Sequence, residues 1–263
     1  MNPKRIAFAI APVVALALAG CGGSDSDGGG SGTTTSSAKP TLRVSAAASL
    51  KGAFTTCAKQ FEEANLTFSF AGSDQLAAQI RQGAAPNLFA SANTKLPDQL
   101  HSEGKLEQPQ VFAGNKLVIA VPKDSKVSSI EDLERSGTAL VIGAESVPIG
   151  SYARQVLGKL PSAQEKAILA NVRSEEPDVA SIVGKLTQGA ADAGLTYVTD
   201  VVGTKGALRS VDLPAELQPD VAYGAGIVTG SSDEEASQAF IDDVTSGPCR
   251  QVMEDAGFTA PPS

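Results

Sequence analysis

The chain has 263 residues, 42% of them hydrophobic, which is enough for one large domain or two modest ones with a substantial core. With 29 acidic against 21 basic residues, the net charge of −8 argues against nucleic acid or an anionic lipid surface as a partner, since both need clustered Lys and Arg. A small anion is not excluded, because oriented backbone N–H groups bind one locally.

Residues 1–20 have the pattern of a secretory signal peptide. Lys4 and Arg5 precede an apolar run over 6–19, which is too short to span a bilayer comfortably and ends just before Cys21. The end of this run resembles a bacterial lipoprotein signal, which implies cleavage before Cys21 and acylation of that residue. We therefore expect an extracytoplasmic protein that is lipid-anchored to the cell membrane. The alternative is an uncleaved helix with an incidental cysteine.

The segment 21–40 begins at Cys21 and is rich in Gly, Ser and Thr. It shows no apolar periodicity, so we expect a flexible tether with a root-mean-square reach of about 20–25 Å. Pro40 marks its end.

From residue 41 onward, short apolar runs alternate with helical periods. Strands are predicted at 42–46, 66–70, 87–90, 117–121, 139–142, 194–197, 207–211 and 222–228. Helices are predicted at 50–64, 76–81, 94–102, 129–135, 150–157, 163–169, 179–186, 234–244 and 248–256. This alternation predicts an α/β fold with largely parallel sheets.

Four strand-to-helix turns carry residues suited to anion binding, at 46–50, 70–74, 146–151 and 176–179. Ligands of parallel α/β sheets bind outside the carboxyl ends of strands, where such turns cluster. A helix N-terminus offers unpaired N–H groups and a partial positive charge. Each turn alone is typical of an ordinary helix cap, however, and the residues do not show that the four turns converge.

Catalytic and metal-binding signals are weak. The single histidine, His101, lies at a predicted helix end, and no Gly-x-Ser-x-Gly nucleophile motif occurs. Asp74, Asp178 and Asp200 lack the dense spacing of a hard-metal site and are more simply caps and surface charges. We therefore expect no enzyme, no metal site and no cofactor. A structural or interaction lipoprotein without a small ligand stays open as an alternative.

The turn segments belong to a longer ordered pattern. Its parts are Ser-Ala-Ala-Ala-Ser-Leu at 45–50, Phe-Ala-Gly-Ser at 70–73, Gly-Ala-Ala-Pro-Asn-Leu-Phe-Ala-Ser-Ala at 83–92, Gly-Asn-Lys-Leu-Val at 114–118, Val-Pro-Ile-Gly-Ser-Tyr-Ala at 147–153 and Gly-Leu-Thr-Tyr at 194–197. In order and spacing, from residue 42 to 258, the chain resembles the molybdate-binding proteins of bacterial ABC transporters.

The resemblance implies a type II periplasmic-binding-protein fold, in which two α/β lobes are joined by two crossover segments and the ligand lies in the cleft. Lobe one would hold residues 41–116 and 225–263, and lobe two residues 117–224. It further implies a receptor, expected to be a monomer, that delivers its ligand to an ABC permease in the membrane.

The same resemblance implies the ligand-binding residues. Ser49 and Ser73 would each donate a hydroxyl and a backbone N–H, Ile149 and Val179 a backbone N–H, and Tyr197 its phenol. The ligand would be molybdate or tungstate, and the only metal would be the molybdenum of the bound oxyanion. A receptor for another tetrahedral oxyanion, such as sulfate or phosphate, stays open.

Two positions depart from the commonest pattern of these proteins. Gly72 stands where serine is frequent and Ile149 where alanine is frequent; both keep the backbone donor, but the larger Ile149 puts the fine selectivity in question. A ferric-ion relative of the same fold would need several tyrosines at the cleft, and the chain has only Tyr152, Tyr197 and Tyr223.

Cys57 and Cys249 remain beside the acylated cysteine. Export to an oxidising compartment allows a disulfide between them, worth about 4–5 kcal/mol in the chain-entropy treatment of so long a loop. Each cysteine also lies on the apolar face of a predicted helix, so two separate buried thiols are the alternative.

Overall fold

A computed structural model describes residues 39–262 of the chain. The expected signal peptide, Cys21 and nearly all of the tether lie outside the described residues. Within the described range, no helix is both long and apolar enough to cross a membrane.

The described residues form ten strands and nine α-helices. The strands are β1 (Thr41–Ala47), β2 (Asn65–Ala71), β3 (Leu88–Ser91), β4 (Gln110–Asn115), β5 (Leu117–Pro122), β6 (Leu140–Gly143), β7 (Val172–Glu176), β8 (Ala193–Tyr197), β9 (Leu208–Asp212) and β10 (Val221–Ile227). The helices are α1 (Lys51–Cys57), α2 (Ser73–Arg81), α3 (Lys95–Ser102), α4 (Pro148–Gly158), α5 (Ser162–Ala170), α6 (Val179–Thr187), α7 (Val198–Gly203), α8 (Glu234–Thr245) and α9 (Cys249–Asp255).

The first sheet has the order β2-β1-β3-β10-β4. Its strands are parallel except β10, which runs antiparallel to both β3 and β4. Val44 of β1 pairs with Phe68 of β2 and Leu88 of β3, so apolar side chains from three strands lie side by side. Phe54 of α1 packs edge-to-face on Phe240 of α8, with ring centroids 5.2 Å apart, and closes this core.

The second sheet has the order β7-β6-β8-β5-β9, and here β5 is the strand that runs antiparallel to its neighbours. Its central strands are buried along their whole length because helices cover both faces. Two largely parallel sheets with flanking helices confirm the predicted α/β class.

The chain crosses between the sheets twice. It leaves the first sheet after Asn115 and enters the second at Leu117, then returns between Asp212 and Val221. We call the first sheet and its helices lobe one, and the second sheet and its helices lobe two. Residues 221–224, assigned above to lobe two, belong to lobe one, because β10 pairs with β4 from Val221 onward.

The helix predicted at 50–64 is shorter in the structure. A 3-10 turn, Ala48–Leu50, precedes α1, which ends at Cys57. Cys57 forms a disulfide with Cys249 at the start of α9, with Cα atoms 5.4 Å apart. Beyond it, the N–H groups of Gln60 and Phe61 both donate to the Cys57 carbonyl, and the chain then leads into β2.

Three elements of the structure, β4, β7 and α7, were not predicted from the sequence. β7 is an edge strand whose exposed Arg173 and Glu175 break the apolar alternation. β4 directly precedes the stronger apolar run of β5, which alone was predicted as a strand. α7 has only six residues, too few to show a helical period. The helix predicted at 129–135 is a 3-10 turn, Glu131–Glu134.

Candidate functional site

The carboxyl ends of the parallel strands of both lobes border one small cavity. It has a volume of about 20 Å³, far below the roughly 300–1,000 Å³ of sites for drug-sized molecules, so only a small ligand fits. All five residues predicted to bind ligand line it: Ser49, Ser73, Ile149, Val179 and Tyr197. The other lining residues are Ala47, Ala48, Ala71, Gly72, Ala92, Val147, Pro148 and Asp178.

Three α-helices of at least nine residues begin at this cavity: α2 from lobe one, and α4 and α6 from lobe two. In α2 the first hydrogen bond within the helix runs from the Leu76 N–H to the Gly72 carbonyl. The N–H of Ser73 lies before this bond and is therefore not used by the helix. In α4 the first such bond runs from Ser151 to Val147, so the N–H of Ile149 is free of the helix ladder. The N-termini of these three helices, with their partial positive charge, thus border the same cavity.

The start of α4 depends on local sequence. Pro148 occupies the first helical position, where its fixed φ suits the helix and its missing N–H costs nothing. A Cβ on Gly150 would overlap the carbonyl groups of Gly143 and Ala144, so glycine lets the helix lie directly on the end of β6. A Cβ on Gly143 would lie 2.6 Å from Cγ2 of Ile149, which shows that Ile149 packs against this glycine.

The start of α6 is capped by Asp178. Its Oδ1 accepts hydrogen bonds from the Ser181 N–H at 2.8 Å and the Ser181 hydroxyl at 2.9 Å. One oxygen of the carboxylate that borders the cavity is therefore engaged with its own helix, while the N–H of Val179, one residue inside the cap, stays available.

Both serine hydroxyls lie within hydrogen-bond networks. The Ser73 Oγ accepts from the Ala92 N–H at 3.1 Å, and the Ser49 Oγ lies 2.9 Å from the Tyr223 hydroxyl. Since the Ser73 oxygen already accepts a hydrogen bond, its own proton is free to donate into the cavity.

Tyr197 contributes a buried phenol. Its hydroxyl has no hydrogen-bond partner among the described residues, although the side chain is only 1% exposed. Burial raises the pKa of Tyr197 well above its ordinary value of 10, and the neighbouring Tyr223, Tyr152 and Asp200 raise it further. The phenol therefore keeps its proton at neutral pH, and this unpaired donor fits a ligand that accepts hydrogen bonds.

No Lys or Arg is found among the residues that line the cavity. Nor does the described range contain a group of three or more His, Cys, Asp or Glu side chains placed to hold a metal ion. Asp200 does not line the cavity. It is half-buried at the start of α7, where it accepts from the Tyr197 N–H at 3.2 Å, and burial raises its pKa to about 7, helped by Asp178. The site is thus built from uncharged donors.

The model of a bacterial extracellular solute-binding protein family matches residues 42–259. The chain belongs to this family of bacterial extracellular solute-binding proteins. The match takes in both lobes and every residue that lines the cavity.

Several proteins with related sequences or similar structures are named as molybdate-binding proteins or as parts of molybdenum transporters. The molybdate-binding protein ModA of Mycobacterium tuberculosis is 35% identical over 225 residues, which cover 83% of this chain and 84% of ModA. The substrate-binding domain of a putative molybdenum ABC transporter from Clostridium difficile superposes with a TM-score of 0.65 at 27% identity, covering 84% and 98% of the two chains. The periplasmic molybdate-binding protein of Azotobacter vinelandii gives a TM-score of 0.74 at 21% identity, covering 84% and 100%. The predicted periplasmic-binding-protein fold is confirmed.

Two buried residues next to Ser49 were not predicted from the sequence. Asn115 and Tyr223 hydrogen-bond to each other at 3.2 Å although 108 positions separate them in sequence. Asn115 lies within the segment 114–118 that carried the resemblance, which was the one signal pointing to it. Tyr223 appeared only as part of a tyrosine count.

Proposed function

We propose that this solute-binding protein captures molybdate, and equally tungstate, outside the cytoplasm and delivers it to an ABC permease. The observation that carries the proposal is the set of uncharged donors from both lobes at one small cavity: the hydroxyls of Ser49 and Ser73, the amides of Ile149 and Val179, and the phenol of Tyr197.

The chemistry of molybdate matches this donor set. Molybdate is a tetrahedral dianion without a proton near neutral pH, so all four oxygens accept hydrogen bonds. Short hydroxyl and amide donors hold fixed positions, whereas a lysine ammonium on its flexible stem accommodates many anion shapes. Helix termini add partial positive charge, which explains how an acidic chain can hold a dianion without a counter-ion.

Selectivity against other oxyanions has two sources. Monohydrogen phosphate carries a proton that needs an acceptor, and a cavity of donors leaves that proton unpaired at a cost of about 1–3 kcal/mol. Sulfate carries no proton and must be excluded by its smaller size. Tungstate has nearly the size and charge of molybdate, so the site should hold both alike.

Delivery follows from the position of the cavity between the lobes. Ser49 and Ser73 belong to lobe one, whereas Ile149, Val179 and Tyr197 belong to lobe two. An anion that touches both lobes binds the closed form best and shifts the population toward it. In this proposal the closed monomer, anchored through acylated Cys21, docks on the permease, and the protein itself turns nothing over.

Thermal unfolding of the purified protein, freed of carried-over anion, tests the proposal. Molybdate and tungstate should raise the melting temperature in a concentration-dependent way, while sulfate and phosphate at the same concentrations should not. A sulfate or phosphate response as large as that of molybdate would favour the alternative oxyanion receptors. A folded sample that responds to none of the four would favour a lipoprotein without a small ligand.

A further inference from the structure

A buried hydrogen-bond network links Ser49 to the crossover between the lobes. The Ser49 Oγ lies 2.9 Å from the Tyr223 hydroxyl, which lies 3.2 Å from Asn115 Nδ2. The same Nδ2 donates to the Thr199 Oγ1 at 3.0 Å. All four residues are buried, and Asn115 and Tyr223 lie on β4 and β10, next to the points where the chain passes between the lobes.

The orientation of the Asn115 amide sets the direction of this network. Its Oδ1 accepts from the Lys116 N–H at 2.8 Å, so the Nδ2 group is the one that faces Tyr223 and Thr199. An amide nitrogen has two protons and no acceptor, so both contacts are donations by Asn115. The Tyr223 oxygen is therefore an acceptor toward Asn115.

The hydroxyl proton of Tyr223 then needs an acceptor other than Asn115. Ser49 is its other hydrogen-bond neighbour among the described residues, so the phenol donates to the Ser49 Oγ. Because the Ser49 oxygen accepts a hydrogen bond from Tyr223, its own proton is left to donate on the other side, into the cavity. In the same way, the backbone N–H of Ala92 donates to the Ser73 Oγ and leaves the Ser73 proton to donate into the cavity.

We propose that Tyr223, oriented by Asn115, is a positioning residue that fixes Ser49 as a hydrogen-bond donor and so makes the cavity reject oxyanions that carry a proton. The inference rests on the oxyanion-binding function proposed above. Without the Tyr223 hydroxyl, Ser49 is free to rotate and accept a hydrogen bond. The cavity would then lose part of its affinity for a proton-free dianion and gain an acceptor for monohydrogen phosphate.

The substitution Tyr223→Phe removes the hydroxyl and keeps the ring, which packs on Tyr197, Phe112 and Phe258. Tyr152→Phe is the matched control: its hydroxyl accepts from the Ala222 N–H at 3.4 Å, and its ring lies 6.4 Å from that of Tyr197, but it has no contact with Ser49. Calorimetric titration with molybdate at pH 8, alone and in competition with excess phosphate, gives both dissociation constants and compares the two variants with the parent protein.

We expect Y223F to weaken molybdate binding about tenfold and to lower the ratio of the phosphate to the molybdate dissociation constant by at least as much, while Y152F changes neither. In an S49A background, Y223F should cause no further loss of molybdate affinity, because Tyr223 acts through Ser49. Losses that simply add in the double variant would overturn the inference, as would an unchanged molybdate affinity in Y223F. A parent protein that fails to bind molybdate would instead overturn the proposed function itself.

Discussion

Gly72 of lobe one lies directly against the carbonyl group of Pro177 in lobe two. A Cβ built on Gly72 would overlap the Pro177 carbonyl oxygen and lie 2.8 Å from Asp74 Oδ1. The backbone of Gly72, with φ −58° and ψ 136°, suits any residue, so space rather than conformation requires glycine here. Gly72 precedes α2, and Pro177 stands two residues before α6, so the lobes meet where two donor-bearing helices begin.

Gly72→Ala should therefore hinder closure without disturbing either lobe. In the proposed function the anion binds the closed form best, so molybdate affinity should fall about tenfold as the closed form becomes harder to populate. Gly184→Ala is the control, since Gly184 lies within α6 with no atom near its missing Cβ. Titration calorimetry of both variants checks this, and a Gly72→Ala protein with parental affinity would show that the contact does not limit closure.

Ser73→Ala removes a hydroxyl from the lining of the cavity and also leaves the buried Ala92 N–H without its acceptor. Affinity for molybdate should fall at least tenfold, and the free energy of unfolding by about 1–2 kcal/mol. Ser237→Ala separates the two effects, because Ser237 is equally buried and donates to the Asp233 carbonyl at 2.8 Å but does not line the cavity. If both variants bind molybdate alike, Ser73 is not a ligand.

Asp200 should make the stability of the anion-free protein depend on pH. Burial raises its pKa to about 7, whereas the unfolded chain titrates near 3.8. Between these values the unfolded state releases a proton that the folded state keeps, so this contribution is complete below about pH 4 and is lost as the pH rises through 7.

Asp200→Asn should therefore be more stable than the parent at pH 8 by up to about 4 kcal/mol, with the difference closing toward pH 4. The Asn side chain can still accept from the Tyr197 N–H, as Asp200 Oδ2 does. Denaturant unfolding at several pH values measures the difference, and a difference that stays constant with pH would contradict the shifted pKa.

The disulfide between Cys57 and Cys249 joins α1 to α9 within lobe one and does not line the cavity. Replacing both cysteines with alanine should lower the free energy of unfolding by about 2–5 kcal/mol, because the bond closes a loop of 192 residues. Molybdate affinity should stay unchanged at temperatures where the variant is folded. A loss of affinity in the folded variant would show that the bond also shapes the site.

Cys21→Ala should release the protein from membranes, since acylation of that residue is the expected anchor. Fractionation of cells that express the parent and the variant measures this. A variant that stays with the membrane fraction would contradict the lipoprotein prediction.

Periodicity predicted most of the fold and located the strand-to-helix turns, because apolar spacing and helix caps are local signals. The residues of those turns that are proposed to bind the ligand could be singled out only through the resemblance, since a serine such as Ser49 or Ser73 looks the same in a sequence whether it caps a helix or binds a ligand. That they meet at one cavity depends on how the two sheets face each other, which no local pattern encodes.

The residues behind the site were harder to find. Asn115 and Tyr223 come together only because β4 and β10 pair across the sheet, and each looks unremarkable in its own segment. The disulfide between Cys57 and Cys249 is likewise a long-range contact, since 192 positions separate the two cysteines. β7 lies at the edge of its sheet, where exposed polar side chains replace the apolar pattern of a central strand. Pro177 and Asp178 directly follow it.

Titration calorimetry of the anion-free protein with molybdate tests the central claim most directly. Tight binding of one molybdate per chain, matched by tungstate and without measurable heat from sulfate or phosphate, is the result that a closed cavity of uncharged donors predicts. A folded, anion-free sample that binds neither molybdate nor tungstate would contradict it.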